Sequence, residues 1–185
     1  MERKQFLKKA GVGTLALGAL PLLADVASAD DGDRGRKVYF VALSRTGSAQ
    51  DSDVVAMSGR VRVEGGEVEG GGEFVHFKNA QLTTPSPAFV ATGGWKAVEL
   101  VSYTEVGAWG RGVAGILTVR VRLNPCEGPA IHGATLRVVC NLGPAGLQTG
   151  LAEGYTLTLP NGAIFSPFGA GLTLFTRPCE DSDDD

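Results

Sequence analysis

The 185-residue chain is poor in the groups that most enzymes use to move protons or hold metals, with two histidines and three cysteines. It contains no CxxC, no GxSxG, no HExxH and no P-loop, so dithiol, serine-hydrolase, zinc-protease and nucleotide chemistries have no motif to stand on. A dominant charge is missing too. Beyond residue 29 the chain holds 13 of its 17 Lys+Arg and 18 of its 20 Asp+Glu, and the acidic excess sits at the ends. Asp30, Asp31 and Asp33 form one acidic segment and Glu180-Asp181-Ser182-Asp183-Asp184-Asp185 the other. Between them the charges nearly balance without a basic cluster, which leaves nucleic-acid binding no electrostatic footprint. Long hydrophobic runs are absent. The one apolar stretch, residues 10–24, is short and Gly-rich, and no later segment could span a membrane.

What is present at the N-terminus is an address. A basic head (Arg3, Lys4, Lys8, Lys9), an apolar run and the small-x-small site Ala27-Ser28-Ala29 make residues 1–29 a signal peptide. The head, Glu2-Arg3-Lys4-Gln5-Phe6-Leu7-Lys8, resembles the bacterial twin-arginine export signal, Arg-Arg-x-Phe-Leu-Lys. Lys4 stands where the second arginine would be, so the Sec route also fits. The expectation is an exported protein, periplasmic or extracellular, from a bacterium or archaeon. Residues 30–36 are expected to be a disordered acidic linker, 37–177 one domain and 178–185 a disordered acidic tail. No cysteine stands directly after the apolar run, so a lipid anchor is not expected.

The rest of the chain alternates with period two. In Leu117-Thr118-Val119-Arg120-Val121-Arg122-Leu123 the apolar residues share one face, and in the stretch from Ala134 to Leu142 the inward set is Ala134, Leu136, Val138, Cys140 and Leu142. Further strands are expected near 37–44, 54–64, 67–78, 89–103, 153–159 and 172–176. Turn signals at Gly65-Gly66, Pro85-Ser86-Pro87, Gly143-Pro144 and Asn161-Gly162 separate them. The expected fold is all-β, a single antiparallel domain of about eight strands, with a β-barrel (calycin- or dirigent-like) favoured over a β-sandwich.

A two-residue Gly65-Gly66 turn also fixes a register. It places Val63 opposite Val68, Val61 opposite Gly70, Gly59 opposite Gly72, Met57 opposite Phe74 and Val55 opposite His76 on one face. The other face pairs Arg62 with Glu69 and Ser58 with Glu73. Gly59, Gly70 and Gly72 leave the inner face bare, and Trp95 is the side chain of a size to cover them. Either the tryptophan packs there as core, or the bare patch is the mouth of a cavity.

Gly70-Gly71-Gly72-Glu73-Phe74-Val75-His76, Gly94-Trp95-Lys96-Ala97 and Leu157-Thr158-Leu159-Pro160-Asn161-Gly162 occur in that order. With the closing Leu172-Thr173-Leu174-Phe175 they resemble a group of small secreted microbial β-proteins with GGGxFxH, GTWxA and LTLPxG stretches. The group has no assigned activity, so the resemblance implies a common fold and transfers no site.

Three cysteines permit one disulfide. Cys140 falls on an inward face, where a small apolar thiol fits, which leaves Cys126 and Cys179 as the expected pair. For chemistry, alternation over Trp95–Tyr103 puts Glu99 on the face of Trp95, Ala97, Val101 and Tyr103. If that face is inward, Glu99 and His76 become weak catalytic candidates in an apolar interior. A metal site from His76, His132 and Cys140 is a remote alternative, and neither a metal nor a cofactor is expected. Trp95, His76, Tyr103 and Trp109 are the expected ligand-binding residues. Trp109 lies in a Gly-rich stretch, 105–112, that suits a lid or a stacking finger. Phe165 and Phe168, around Pro167, invite the same choice between plug and contact.

These readings rank a non-catalytic binding module for a small apolar ligand first. A structural or surface interaction protein of the cell envelope is the alternative, and a cavity enzyme of dirigent or cyclase type the third. An open interior at Trp95, His76 and Glu99 favours carrier or enzyme. A filled interior with Trp109 and Phe168 outside favours the interaction module.

Overall fold

A computed structural model of the chain describes residues 35–46, 53–78, 88–169 and 171–178. The expected signal peptide and Cys179 with the acidic tail lie outside the described residues. Among the described residues nine strands form: β1 (Arg36–Thr46), β2 (Val54–Glu64), β3 (Glu67–Lys78), β4 (Ala88–Trp109), β5 (Gly112–Pro125), β6 (Ile131–Cys140), β7 (Gly154–Thr158), β8 (Ile164–Pro167) and β9 (Leu172–Thr176). The sheet is antiparallel throughout. Strands β2-β3-β4-β5-β6-β7-β8-β1 follow one another and β1 pairs β2, so the sheet closes into a barrel-like ring of eight. The ninth strand, β9, bridges β1 and β5 at one end, pairing residues 37–41 of the former and Gly112 and Val113 of the latter.

The Gly65-Gly66 hairpin adopts the expected register from Val54↔Phe77 to Glu64↔Glu67 without a bulge. Both glycines take positive φ, which a tight primed turn demands. The inward residues of β5 and β6 are also as expected, with Leu117, Val119, Val121, Leu123, Ala134, Leu136, Val138 and Cys140 buried. Two circumferential rows build the core. One runs Ala108–Val113–Phe175–Val38–Val61–Gly70 across six strands. The other runs Phe40–Gly59–Gly72–Trp95–Leu123. In the second row two glycines separate two large rings, and the rings of Phe40 and Trp95 lean together over them with centroids 5.8 Å apart.

The fourth strand departs from simple alternation. β4 extends through the stretch expected to be a loop and turns at Gly110-Arg111. Its register slips once against β3, where Val90 has no opposite residue, and three times against β5, at Val98, Val101 and Val106. Each slip is a bulge that resets which side faces inward. Trp95 and Ala97 point in, then Leu100, Tyr103 and Glu105, then Ala108, as their positions opposite the inward residues of β5 require. The bulges overturn the placement of Glu99, which is exposed and pairs with Arg120 at 3.6 Å. Val101, expected on the same inward face, is exposed as well.

Two of the three cysteines are among the described residues. Cys126 is a free, exposed thiol, and no disulfide joins the described residues. Cys126 follows the end of β5. Cys179 lies outside the described residues, so only the first member of the expected Cys126–Cys179 pair is among them. Cys140 is buried and free, its Sγ 3.5 Å from the Thr173 carbonyl. Burial pushes its thiol pKa up.

Candidate functional site

The residues expected to line one ligand site are distributed over the molecule. Trp95 is only 3% exposed, and its indole Nε1–H donates to the Ser58 carbonyl at 2.9 Å. Phe40 in turn packs on Tyr155, ring centroids 5.6 Å apart. The Tyr155 hydroxyl donates to the Val55 carbonyl at 2.5 Å, while Ser44 Oγ donates to the Tyr155 carbonyl at 2.5 Å. The middle of the ring is thus occupied by interlocked rings whose polar atoms have partners.

His76 sits near the end of β3, at the opposite end of the sheet from Trp109. Its Nε2 lies 3.3 Å from Asp53 Oδ2, and the edge of its ring meets Phe165 at 5.8 Å. Phe165 is buried as a plug, and Phe168 lies half-buried beneath the Arg45 guanidinium at 4.8 Å. Glu99 is eight residues further along β4 from Ala91, the partner of His76, and on the outer face, so the acid–base pair does not assemble. Nor does the metal alternative. His132 is exposed at the start of β6 and Cys140 closes the same strand. Among the described residues no group of three His, Cys, Asp or Glu could hold a metal ion.

Tyr103 belongs to a cluster that the sequence reading missed. At the end where β1 starts and β9 finishes, Glu105 turns inward from β4 between two arginines. Arg36 Nε donates to Glu105 Oε1, and Arg177 Nη2 donates to Glu105 Oε2 at 2.8 Å. The Tyr103 hydroxyl adds a longer hydrogen bond to Glu105 Oε1, 3.4 Å. Its ring stacks on Phe175 at 6.1 Å, and the Arg36 guanidinium lies over it at 5.6 Å. Burial alone would raise the Glu105 carboxyl, but the hydrogen bonds and charges of Arg177 and Arg36 outweigh it and hold the pKa below its ordinary value. Tyr103 moves the other way, raised by burial and by the adjacent carboxylate. This is a clasp joining three strands: the carboxylate is saturated by its arginines and the phenol stays neutral. Only the pairing of β1 with β9 reveals that Arg36 and Arg177 share one end, which is why local sequence did not disclose it.

Of the nine exposed large hydrophobics among the described residues, six lie on β4. Trp109, 72% exposed, stands at the hairpin tip beside Gly112, which offers no side chain to cover it. Behind it come Val106, Val101 and Val98, each the extra residue of a bulge and each about half exposed. Toward the other end of β4 lie Val90 and Phe89, also exposed. Among the described residues, no strand pairs with β4 on its β3 side beyond Lys96. Isolated surface hydrophobes are ordinary; here they form a line on one free-edged strand. The bulges break the flat edge that strand addition needs. No family model, curated protein or solved structure matches the chain.

Proposed function

We propose that the protein is an exported, non-catalytic surface-interaction module whose contact face is the bulged outer side of β4 with Trp109 at its tip. The observation that carries this is the contrast between the two tryptophans. Trp95, which an interior ligand would have to reach, is locked against Phe40 and Gly59, while Trp109 is held out in solvent. A carrier of small apolar ligands calls for the reverse arrangement, with aromatic surface lining an interior space. The export signal supports a partner in the cell envelope or beyond it. The paired state of Glu105 and the outward position of Glu99 argue against an acid–base role for either.

The two tryptophans make the test direct. Added cell-envelope preparations should shift Trp109 emission to the blue, and the shift should vanish in Trp109→Phe while folding is unchanged. A Trp109→Phe protein whose remaining Trp95 emission responds to small apolar probes would return the interior-ligand reading to first place.

A further inference from the structure

The turn between β7 and β8 carries a second feature, independent of the apolar line on β4. Its sequence is Leu159-Pro160-Asn161-Gly162-Ala163, in which the proline presets φ and Gly162 takes φ +86°. Two backbone hydrogen bonds close it. Gly162 N–H donates to the Leu159 carbonyl at 3.0 Å, and Leu159 N–H donates to the Ala163 carbonyl at 2.8 Å. The Asn161 side chain adds a third, its Oδ1 accepting the Ala163 N–H at 3.1 Å. Pro160, Asn161 and Gly162 are exposed, and a β-carbon on Gly162 would meet nothing within 4 Å. The side-chain carbonyl of Asn161 therefore reaches along the main chain past Gly162, whose nitrogen no side chain of its own shields.

The other asparagines among the described residues are closed to the chemistry this invites. Asn124 precedes Pro125, whose nitrogen carries no hydrogen. Asn141 is held at both ends of its amide. Its Oδ1 accepts the Thr149 N–H at 2.8 Å and the Thr149 hydroxyl at 2.9 Å, and its Nδ2 donates to the Leu151 carbonyl at 2.9 Å. We infer that Asn161 is a site of spontaneous deamidation. The Gly162 nitrogen, its proton taken by hydroxide, bonds to Asn161 Cγ. The Cγ–Nδ2 bond breaks, and Nδ2 leaves as ammonia with a proton from water, which closes a succinimide ring. The Ala163 N–H points at the oxygen on which negative charge develops, as a backbone donor does in an oxyanion hole. Water then opens the ring. Breaking the bond from Cγ to the Gly162 nitrogen gives aspartate; breaking the bond from the main-chain carbonyl carbon gives isoaspartate, with a main chain one atom longer.

The longer product alters a turn that fixes a four-residue strand. Leu159 and Ala163 lead directly into the pairs Thr158↔Ile164 and Leu157↔Phe165, and Phe165 is the buried plug beside His76. Aspartate keeps an oxygen for the Ala163 N–H and leaves the turn as it is, whereas isoaspartate displaces that register and loosens β8. The full chain, incubated in mildly alkaline buffer, should release ammonia and accumulate isoaspartate. Enzymatic methylation and peptide mass mapping should place it at 161 and at neither Asn124 nor Asn141. Because Gly162 N–H must first leave the Leu159 carbonyl, unfolding in urea should speed the reaction about tenfold. Asn161→Ser should abolish it in this peptide. Hydrogen exchange of the β8 amides should rise in the isoaspartyl fraction and stay at the parent rate in Asn161→Asp. Asn161 left intact in the folded chain once the unfolded chain has reacted to completion, or isoaspartate at Asn124 or Asn141 instead, would overturn the site. Unchanged β8 exchange in the isoaspartyl fraction would overturn the loosening of that strand.

Discussion

A β-carbon on Gly59 would lie 2.1 Å from Cζ2 of Trp95, so the glycine and the indole divide one volume between them. Trp95→Ala should cost about 3–5 kcal/mol in urea denaturation, as for other buried aromatic truncations. Gly59→Ala should cost about 1–3 kcal/mol by overpacking. In the Trp95→Ala background the same glycine change should cost clearly less, since the atom it strikes is gone. Additive losses would show that the two residues are not coupled.

The Glu105 clasp predicts a pH signature. Its folded pKa is depressed, so its stabilisation is present above the ordinary carboxylate value, about 4.3, and is lost as pH falls through the folded pKa. Glu105→Gln keeps the shape but not the charge. At neutral pH it should be less stable than the parent by about 1–2 kcal/mol, the half-exposed arginines limiting the effect. Thermal melts from pH 7 to pH 2.5 should show this gap closing on the acid side. A constant gap would mean that Glu105 acts by packing alone.

The cysteines supply a third test. In the native protein Cys126 should react with iodoacetamide within minutes, while Cys140 should wait for unfolding. Equal labelling rates at the two would mean that β6 does not hold Cys140 inside the sheet.

Export gives a fourth. Intact-mass measurement of protein recovered outside the cytoplasm should correspond to a chain starting at Asp30, and retention of residues 1–29 would remove the basis for an extracytoplasmic partner.

The parts of this fold legible in the sequence are those where short-range chemistry sets long-range geometry. The Gly65-Gly66 turn dictated ten further pairings down to Val54↔Phe77, and with them the bare patch that Trp95 fills. Period two sorted β5 and β6 because both are regular through their buried stretch. β4 resisted because a bulge is a one-residue insertion whose position depends on the partner strand, and valine carries no local mark of it. The bulge at Val98 sends Glu99 outward, and the one at Val101 restores the parity that brings Tyr103 and then Glu105 inward; Glu105 was missed because 105–112 reads as a loop. β8 escaped notice for a different reason, being four residues long and closed by Pro167. The site residues followed the same division: Trp95, placed by a turn, was found inside, and the clasp, assembled from β1, β4 and β9, was not.

Lys37 and Thr176 are direct neighbours on β1 and β9, so the first and last strands of the sheet end side by side. A short linker from residue 177 to residue 36 would need to bridge little more than one strand spacing, about 5 Å. The chain could then be reopened at the exposed Asn161-Gly162 turn, between β7 and β8, with each hydrogen-bonded row intact. A circular permutant of this kind should fold to the same closed sheet, because in a ring the order in which strands are made is a property of the gene and not of the architecture.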